Sequence, residues 1–483
     1  MTSKVSRRAL LKTTAAAGAT GSVAFMGPWK HTRVYAAASD KPIKVGLTHD
    51  ASGQFANSGQ AEKRGTIMAI EEANAAGGVL GRKVDYVWMD TETNPQTGTR
   101  VAERLITREN IHFMVGAIQS GTANAISQVA QKYGCIYFNT NSSSPTESGE
   151  NCHRVKFVWD GNGENFSRAA ARNAINAFGE NWYLIYNDYV WGQNTNAATK
   201  TVATGFGAQV MHEVPVPVGT RDWSSILLKI QQAKPDVVAA AVGGDDFKVM
   251  RQQVRDMGLD SKPAWINNQQ DWPDVYGLGA DSAFGVFGTT WYHYLDLPDV
   301  ADFVKRYQAS YPTTRINVPG NVTYNGYVAM RELLRVVEEV GGTDNIKIIK
   351  ALEGRTMKAA DRMQHHDAVI DPMSHHVQQT IYLAQGNPNP RDDTDYFEIL
   401  SSSDPESIRA SADDTCKLES YEDASDGRRS RRSSAFRGGA SEREKVFGRK
   451  RLRVIEPLLL GRYVVTASVG ITLLRAKRNR WTI

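Results

Sequence analysis

Residues 44–48, Lys-Val-Gly-Leu-Thr, read as a short buried strand, and they open a repeating pattern. The stretch 60–75 that follows has helical spacing and stops at Gly77-Gly78. The same rhythm predicts further strands at residues 85–88, 112–116 and 136–138, each followed by helix or loop. Short apolar strands that alternate with helices are typical of parallel sheets covered on both faces.

The pattern starts again in the second part of the chain. Strands are predicted at 183–186, 237–241 and 264–266, with helices between them. Two series of this kind predict an α/β protein with two doubly wound, Rossmann-like lobes. A chain of 483 residues is also too long for one ordinary core. A third stretch, 284–400, adds strands and two helices, near 300–311 and 324–340.

The N-terminus has the three parts of an export signal. SRRALLK at residues 6–12 precedes a weakly apolar Ala- and Gly-rich stretch, and three alanines stand at 36–38. This order predicts a twin-arginine signal peptide over residues 1–38 and a periplasmic mature chain. The alternative is a frayed basic terminus, which the order of the parts disfavours.

The net charge of +5 hides a strong asymmetry. Residues 1–39 hold six Lys or Arg and no acid, and residues 428–483 hold sixteen Lys or Arg and three acids, which leaves −14 for the middle of the chain. An acidic body does not neutralise phosphates, so nucleic acid is not expected as a partner.

The C-terminal region differs in composition from the rest. Residues 401–426 are polar and predict a loose tail, and the chain is basic from 428. The apolar stretch 457–474 has basic flanks, so a membrane anchor is one interpretation. We favour a segment with no evolved role, because the change is abrupt and Arg462 falls inside the stretch.

Cysteines and histidines give little sign of chemistry. Cys135 and Cys152 flank one loop and are either a disulfide or two buried thiols. The histidine pairs at 365–366 and 375–376 suit loops and strand edges better than a metal site, because adjacent strand residues point to opposite faces. The sequence contains no phosphate-binding loop and no nucleophile elbow, so we expect neither an enzyme nor a cofactor.

Small hydroxyl and amide residues follow several strands, where ligands bind in parallel sheets. Hydroxyls beside free helix N-terminal amides can hold an anionic group, although helix capping is the simpler role. Tyr189 and Trp191 follow the first strand of the second series and could form a stacking wall. The candidates after the strands of the first series are Ser52, Phe55, Ser120, Gly121, Thr122, Asn141, Ser142 and Ser143.

These residues carry a resemblance to a known family. The stretch 44–386 resembles the periplasmic binding proteins of branched-chain amino-acid ABC transporters. The matching motifs are IKVG at 43–46 leading to Ser52-Gly53, AAGGVLGR at 75–82, VGA at 115–117 before Ser120-Gly121-Thr122, and TRDWS at 220–224.

The resemblance implies a type I periplasmic binding protein, whose two lobes are joined by a three-strand hinge. The crossings are then expected near 155–158, 284–290 and 366–372. Lobe 1 would comprise 40–157 plus 288–366, lobe 2 would comprise 158–287 plus 367–400, and 401–483 would be a tail outside both lobes.

The resemblance also implies a ligand site between the lobes. Ser120 to Thr122 and Asn141 to Ser143 fall where the family holds the ligand carboxylate, and Phe55 and Trp191 fall where it places aromatic walls. The family's second-lobe acid for an ammonium group falls on 266–269, where this chain has no acid.

We therefore predict a solute with a carboxylate head and a flat apolar or aromatic body, with Asn268 or Gln269 at its far end. Branched-chain amino acids, short amides or urea are the alternative, because Asp245 could reach the cleft. The expected function is capture of a small-molecule solute by a monomer that delivers it to an ABC transporter permease. A ligand-sensing regulator with the same fold is a second alternative, which the export signal disfavours.

Overall fold

The computed structural model describes residues 41–425. The predicted signal peptide and the basic C-terminal segment lie outside the described residues, so both stay predictions. Among residues 41–425, no helix is long and apolar enough to cross a membrane.

Lobe 1 begins with five parallel strands in the order β2-β1-β3-β4-β5. Strands β3 and β4 are buried along their whole length, because helices cover both faces of the sheet. The elements are β1 (Ile43–Leu47), α1 (Ala56–Ala75), β2 (Val84–Trp88), α2 (Pro95–Thr107), β3 (Phe113–Gly116), α3 (Ser120–Tyr133), β4 (Ile136–Asn139) and β5 (Lys156–Val158).

Lobe 2 follows with a second parallel series. Its first helix was not predicted from the sequence; Asn162 and Asn165 form a capping box at its N-terminus. The elements are α4 (Gly163–Phe178), β6 (Asn181–Asn187), α5 (Val190–Gly205), β7 (Gln209–Val216), α6 (Ser224–Ala233), β8 (Val237–Ala241), α7 (Gly244–Asp256), β9 (Ala264–Asn267), α8 (Trp272–Tyr276) and β10 (Val286–Thr289).

The chain then returns to lobe 1 and comes back once more. Lobe 1 receives α9 (Val300–Ser310), α10 (Asn321–Val340), α11 (Asn345–Leu352), β11 (Thr356–Met357), α12 (Ala359–Arg362), β12 (Ala368–Ile370) and β13 (Val377–Gln378). Lobe 2 receives β14 (Ile381–Gly386) and β15 (Phe397–Ser403). The lobe 2 sheet has the order β15-β14-β10-β9-β8-β6-β7, in which only β14 and β15 run antiparallel to their neighbours. The predicted α/β fold of two doubly wound lobes is confirmed.

Three chain segments cross between the lobes. The first follows β5, the second follows β10, and the third follows β13, where His376 pairs with Val158 of β5. The third crossing therefore lies later in the chain than the predicted 366–372. Strand β12 is in that range, but it pairs with β11 and β13 in a small sheet of lobe 1.

The prediction of a loose tail from residue 401 is wrong for the described part. Strand β15 extends through 401–403, and the following residues 404–425, here called the C-terminal strap, pack back onto the protein. Ile408, Ala410, Asp413 and Ala424 are all buried. Polar composition did not reveal this packing, because the strap is held mainly by hydrogen bonds.

Neither alternative for Cys135 and Cys152, a disulfide between them or two buried thiols, is correct. Cys152 is bonded to Cys416 of the strap, 264 residues away in sequence. Cys135 is a buried thiol whose Sγ lies 3.7 Å from the carbonyl oxygen of His112. A pairing over this separation depends on where the strap docks.

Candidate functional site

A cavity lies between the two lobes, at the carboxyl ends of their strands, and its space of about 400 Å³ includes the part that is open to solvent. This is the position at which open parallel sheets bind ligands. Lobe 1 lines the cavity with Phe55, Ile118, Asn141 and Ser143. Lobe 2 lines it with Tyr189, Trp191, Val242, Gly243, Phe247, Asn267, Gln269, Gln270, Asp271 and Asp274.

Three aromatic rings form one wall of the cavity. The ring centroids of Phe55 and Tyr189 are 6.1 Å apart, and those of Tyr189 and Trp191 are also 6.1 Å apart. Phe55 is 6% exposed and Trp191 is 7% exposed. Since Phe55 belongs to lobe 1 and the other two to lobe 2, this wall exists only when the lobes are together. It offers a flat apolar surface to a solute.

The cavity lining also contains two acids. They are Asp271 and Asp274, and burial raises the pKa of Asp271 above its ordinary value. Burial, with the neighbouring Asp271 carboxylate, raises the pKa of Asp274 to about 7. Asp271 Oδ1 accepts a hydrogen bond from Asn321 Nδ2 of lobe 1 at 2.8 Å. Of the fourteen described residues that line the cavity, none is Lys, Arg or His.

More carboxyl groups lie beneath the cavity floor. Asn325 Nδ2 donates to Asn141 Oδ1 and to Asp160 Oδ1, both at 2.9 Å, and so connects the floor to the hinge. Burial raises the pKa of Asp160 and that of Glu62 well above their ordinary values. Burial therefore favours the neutral, protonated form of both carboxyl groups, which can donate as well as accept hydrogen bonds.

Two polar atoms of the cavity wall are buried and have no hydrogen-bond partner among the described residues. They are the Trp191 Nε1 donor and the Asn267 Oδ1 acceptor. A buried polar atom without a partner costs free energy. A solute with one acceptor and one donor at these points would satisfy both.

The structure brings five of the predicted residues into the cavity wall, which are Phe55, Asn141, Ser143, Tyr189 and Trp191. Three hydroxyl positions lie elsewhere. Ser52 Oγ donates to Asp90 Oδ2 at 2.7 Å on the outside of lobe 1. Ser120 Oγ and Ser142 Oγ lie 2.9 Å apart inside lobe 1, where Ser142 also donates to Glu147.

One of the first amides of α3 is already capped by a side chain of the protein. Gln119 Oε1 accepts the hydrogen bond from the Thr122 amide at 2.6 Å, so a side chain of the protein caps the helix. The Thr122 methyl group lies against Gly98 of α2. Gly121 lies beside Gln119 and Pro95. Of the residues predicted to hold a carboxylate, only Asn141 and Ser143 line the cavity.

Two predicted lobe 2 residues also lie outside the cavity wall. Asn268 Nδ2 donates to Ser167 Oγ at 2.9 Å and to Thr199 Oγ1 at 2.8 Å, beneath the lobe 2 helices. Its neighbours Asn267, Gln269 and Gln270 line the cavity instead, and Gln269 was the alternative prediction for this position. Asp245 forms an ion pair with Lys248 at 2.5 Å and is partly exposed.

Sequence reasoning missed Asp271 and Asp274, which are the acids of the cavity. They follow β9 in the run NNQQD at 267–271 and in α8. A run of amides and an acid directly after a buried strand was a signal that could have found them. The sequence analysis correctly found no acid at 266–269, but Asp271 lies two residues beyond that range.

The histidine pair at 375–376 is used inside the protein. His375 contacts the Lys156 carbonyl oxygen and Glu353, and His376 contacts the Asp160 carbonyl oxygen and Asp413. Within residues 41–425, no group of three or more His, Cys, Asp or Glu side chains is placed to hold a metal ion.

Comparisons with known proteins agree with this architecture. The family described as periplasmic binding protein matches residues 42–393. The Leu/Ile/Val-binding protein homolog 3 of Brucella melitensis is 24% identical over 332 residues, which cover 68% of this chain and 87% of that protein.

Solved structures show the same fold. An amino acid ABC transporter substrate-binding protein from Pseudomonas fluorescens has a TM-score of 0.70 at 23% identity and covers 78% of this chain and 99% of its own. An R. palustris ABC transporter solute-binding protein in complex with benzoate has a TM-score of 0.66 at 21% identity and covers 77% of this chain and 100% of its own.

Proposed function

Because the chain belongs to the periplasmic binding protein family, we propose that it is the solute-binding component of an ABC transporter and that its solute presents N–H groups to Asp271 and Asp274. The family comprises solute-binding proteins rather than enzymes and implies a periplasmic location. The solute would be captured between the lobes and delivered to a membrane permease.

The observation that carries the choice of solute is the pair of acids in a cavity lined by no basic residue. An ammonium or amide group there would form charge-assisted hydrogen bonds with Asp271 and Asp274. The carboxylate of a solute would meet the same two acids, and like charges at short range disfavour binding. The apolar body would lie against Phe55, Tyr189 and Trp191. Short amides meet both requirements without a carboxylate, and amino acids with apolar side chains meet them when their carboxylate lies at Asn141 and Ser143, away from the acids.

An aromatic carboxylate is the second candidate. The three rings suit a flat aromatic body, and the R. palustris neighbour was solved with benzoate. Its carboxylate would have to lie at Asn141 and Ser143, away from the acids. The raised pKa of Asp274 would reduce the repulsion at acidic pH.

A thermal-shift screen followed by calorimetry separates the two candidates. Leucine, valine, acetamide and urea would be compared with benzoate and 4-hydroxybenzoate. We expect a nitrogen compound to bind, and Asp271→Asn and Asp274→Asn to weaken that binding. Asp256→Asn is the matched control, because Asp256 is an exposed acid of the same lobe at the C-terminal end of α7, outside the cavity. Tight binding of benzoate, with no response to any nitrogen compound, would make the aromatic carboxylate the favoured solute.

We also propose that the protein is exported by the twin-arginine route and acts as a monomer. The motif at residues 6–12 supports the route. Replacing Arg7 and Arg8 together by Lys should leave the precursor in the cytoplasm, which fractionation and immunoblotting would show. Light scattering of the mature protein should give the mass of a single chain.

A further inference from the structure

The C-terminal strap (residues 404–425) returns from lobe 2 to lobe 1 beside the hinge. It leaves the edge strand β15 of lobe 2 and ends against lobe 1, where Gln131 Nε2 donates to the Asp423 carbonyl oxygen at 3.4 Å. The strap therefore adds a fourth connection to the three hinge crossings.

One end of the strap is anchored on helix α4 of lobe 2. Asn165 Nδ2 donates to the Ile408 carbonyl oxygen at 2.7 Å, and the Ile408 side chain is buried with Phe166. Glu164 accepts from the Ser411 amide at 3.0 Å and from the Ser411 hydroxyl at 2.8 Å. Both anchoring residues lie at the start of α4, directly after the first crossing.

The other end is anchored on lobe 1, directly before the same crossing. Cys416 is bonded to Cys152. Glu419 accepts a hydrogen bond from the Arg154 amide at 2.7 Å and contacts His153 Nδ1 at 2.5 Å. The strap thus runs alongside the first crossing and is fixed at both of its ends.

The middle of the strap is tied to the hinge itself. The Asp413 carboxylate is buried and accepts from Ser148 Oγ of lobe 1 at 2.6 Å. The same carboxylate contacts His376, which directly precedes β13, at 3.1 Å, and His376 Nε2 contacts the Asp160 carbonyl oxygen of the first crossing at 3.0 Å. The strap is therefore linked to the first crossing through one histidine.

The lobes touch each other across the cleft in this arrangement. Gln54 Nε2 of lobe 1 donates to the Gly243 carbonyl oxygen of lobe 2 at 3.1 Å, and the Asp245 amide donates to the Gln54 carbonyl oxygen at 3.2 Å. The strap therefore contacts both lobes in a structure whose cleft is closed. A change in the angle between the lobes would move the two anchored ends of the strap relative to each other.

We propose that the strap, pinned by the Cys152–Cys416 disulfide, is a fourth hinge element that holds the lobes toward the closed angle. The disulfide prevents the lobe 1 end from leaving its anchor. In an oxidising compartment such as the periplasm this bond persists. Without it, the strap can dissociate from lobe 1, and the lobes can open further.

Small-angle scattering of the protein without added solute tests the proposal. Cys152→Ser/Cys416→Ser should give a larger radius of gyration than the parent, with an unchanged far-UV circular dichroism spectrum. Reduction of the parent with dithiothreitol should give the same expansion, since Cys416 is only partly buried. A lower melting temperature with an unchanged radius would overturn the proposal, because the disulfide would then stabilise the fold without acting on the hinge.

A second variant tests the lobe 2 anchor and keeps the disulfide. Glu164→Ala removes the acceptor of the Ser411 bonds and should also increase the radius of gyration. Arg168→Ala is its matched control, because it removes the Glu164–Arg168 ion pair from α4 and leaves the strap bonds in place. An equal radius for Glu164→Ala and Arg168→Ala contradicts the proposal even if the cysteine variant does not fold.

Discussion

Ser143 Oγ of lobe 1 donates a hydrogen bond to Gln269 Oε1 of lobe 2 across the floor of the cavity. Gln269 Nε2 in turn donates to Asp160 Oδ2 of the first hinge crossing at 2.7 Å. One lobe 2 side chain thus connects lobe 1, lobe 2 and the hinge. Since Ser143 and Gln269 also line the cavity, closure of the lobes and assembly of the solute site are the same event.

We predict that Ser143→Ala weakens solute binding about three- to tenfold, because one hydrogen bond contributes about 1 kcal/mol. Calorimetry with the screening compound that gives the largest thermal shift measures the loss. Ser52→Ala is the control, since its hydroxyl bonds Asp90 outside the cavity. Equal affinities for the two variants would mean that the Ser143 bond does not support closure.

We predict that Thr122→Val leaves solute affinity unchanged. The Thr122 hydroxyl is buried without a partner among the described residues, and its methyl group packs against Gly98. Removal of an unsatisfied hydroxyl should raise the free energy of unfolding by about 1 kcal/mol. Calorimetry and urea denaturation check the two parts. A tenfold loss of affinity would restore Thr122 as a ligand contact.

We predict a pH dependence of binding that arises from Asp274. Its pKa of about 7 means that the carboxylate forms between pH 6 and 8, with Asp271, Asp245 and Lys248 as the charged groups around it. Affinity for leucine should rise with pH over this range, by roughly tenfold per unit at most. Affinity for benzoate should fall over the same range. Calorimetry at several pH values gives the slope, which Asp274→Asn should abolish.

Asp274 should also make the free energy of unfolding fall as the pH rises. Burial raises the folded pKa of Asp274 to about 7 from its ordinary 3.8, so the folded state binds the proton more tightly than the unfolded state. Its contribution is fully present below pH 3.8 and is lost as the pH rises through 7. Urea denaturation of the parent and of Asp274→Asn should therefore show stabilities that differ more at pH 8 than at pH 5. An equal difference in the free energy of unfolding at the two pH values would mean that Asp274 does not titrate in this range.

We predict that Gly65→Ala destabilises lobe 1 by about 1–3 kcal/mol. A Cβ atom at Gly65 of α1 would lie 2.0 Å from the Thr323 carbonyl oxygen of α10, so the two helices would have to separate. Gly205→Ala is the control, because a Cβ atom at that helix position meets no atom within 4 Å. Gly205→Ala should be neutral or slightly stabilising. Equal melting temperatures for both variants would show that the two helices tolerate a wider spacing.

We predict that a chain ending at Ser425 folds and binds solute like the full-length protein. A chain ending at Ser403 should have a lower melting temperature and a lower affinity for solute. The first keeps the disulfide and the Asp413 bonds, and the second loses the whole strap. Melting temperature and solute affinity of the two truncated chains check this. A loss of binding on removal of residues 426–483 alone would assign a role to the basic segment.

The order of strands and helices was predictable because it depends on a local signal. Apolar runs of four to eight residues between amphipathic stretches mark β1, β3, β4 and β8 without reference to distant residues. Helix α4 was missed, although its sequence has a clear amphipathic period and the Asn162–Asn165 capping box marks its start.

The site was predictable only in outline. Aromatic and amide residues after strands identified Phe55, Asn141, Ser143, Tyr189 and Trp191, because the carboxyl ends of parallel strands meet at one edge. Which neighbour faces the cavity was not predictable. Asn267 and Asn268 have the same chemistry, and only the direction of the backbone at the end of β9 separates them.

By itself, the sequence determined the fold class and the family of this protein, because apolar period and motif order are properties of neighbouring residues. The tertiary structure alone decided the acids of the cavity, the partner of Cys152 and the course of the strap. Asp271 lines the cavity because the chain turns after β9. Cys416 is bonded to Cys152 because the strap returns from lobe 2 to lobe 1. Such meetings depend on how the lobes pack, and no local pattern encodes that packing.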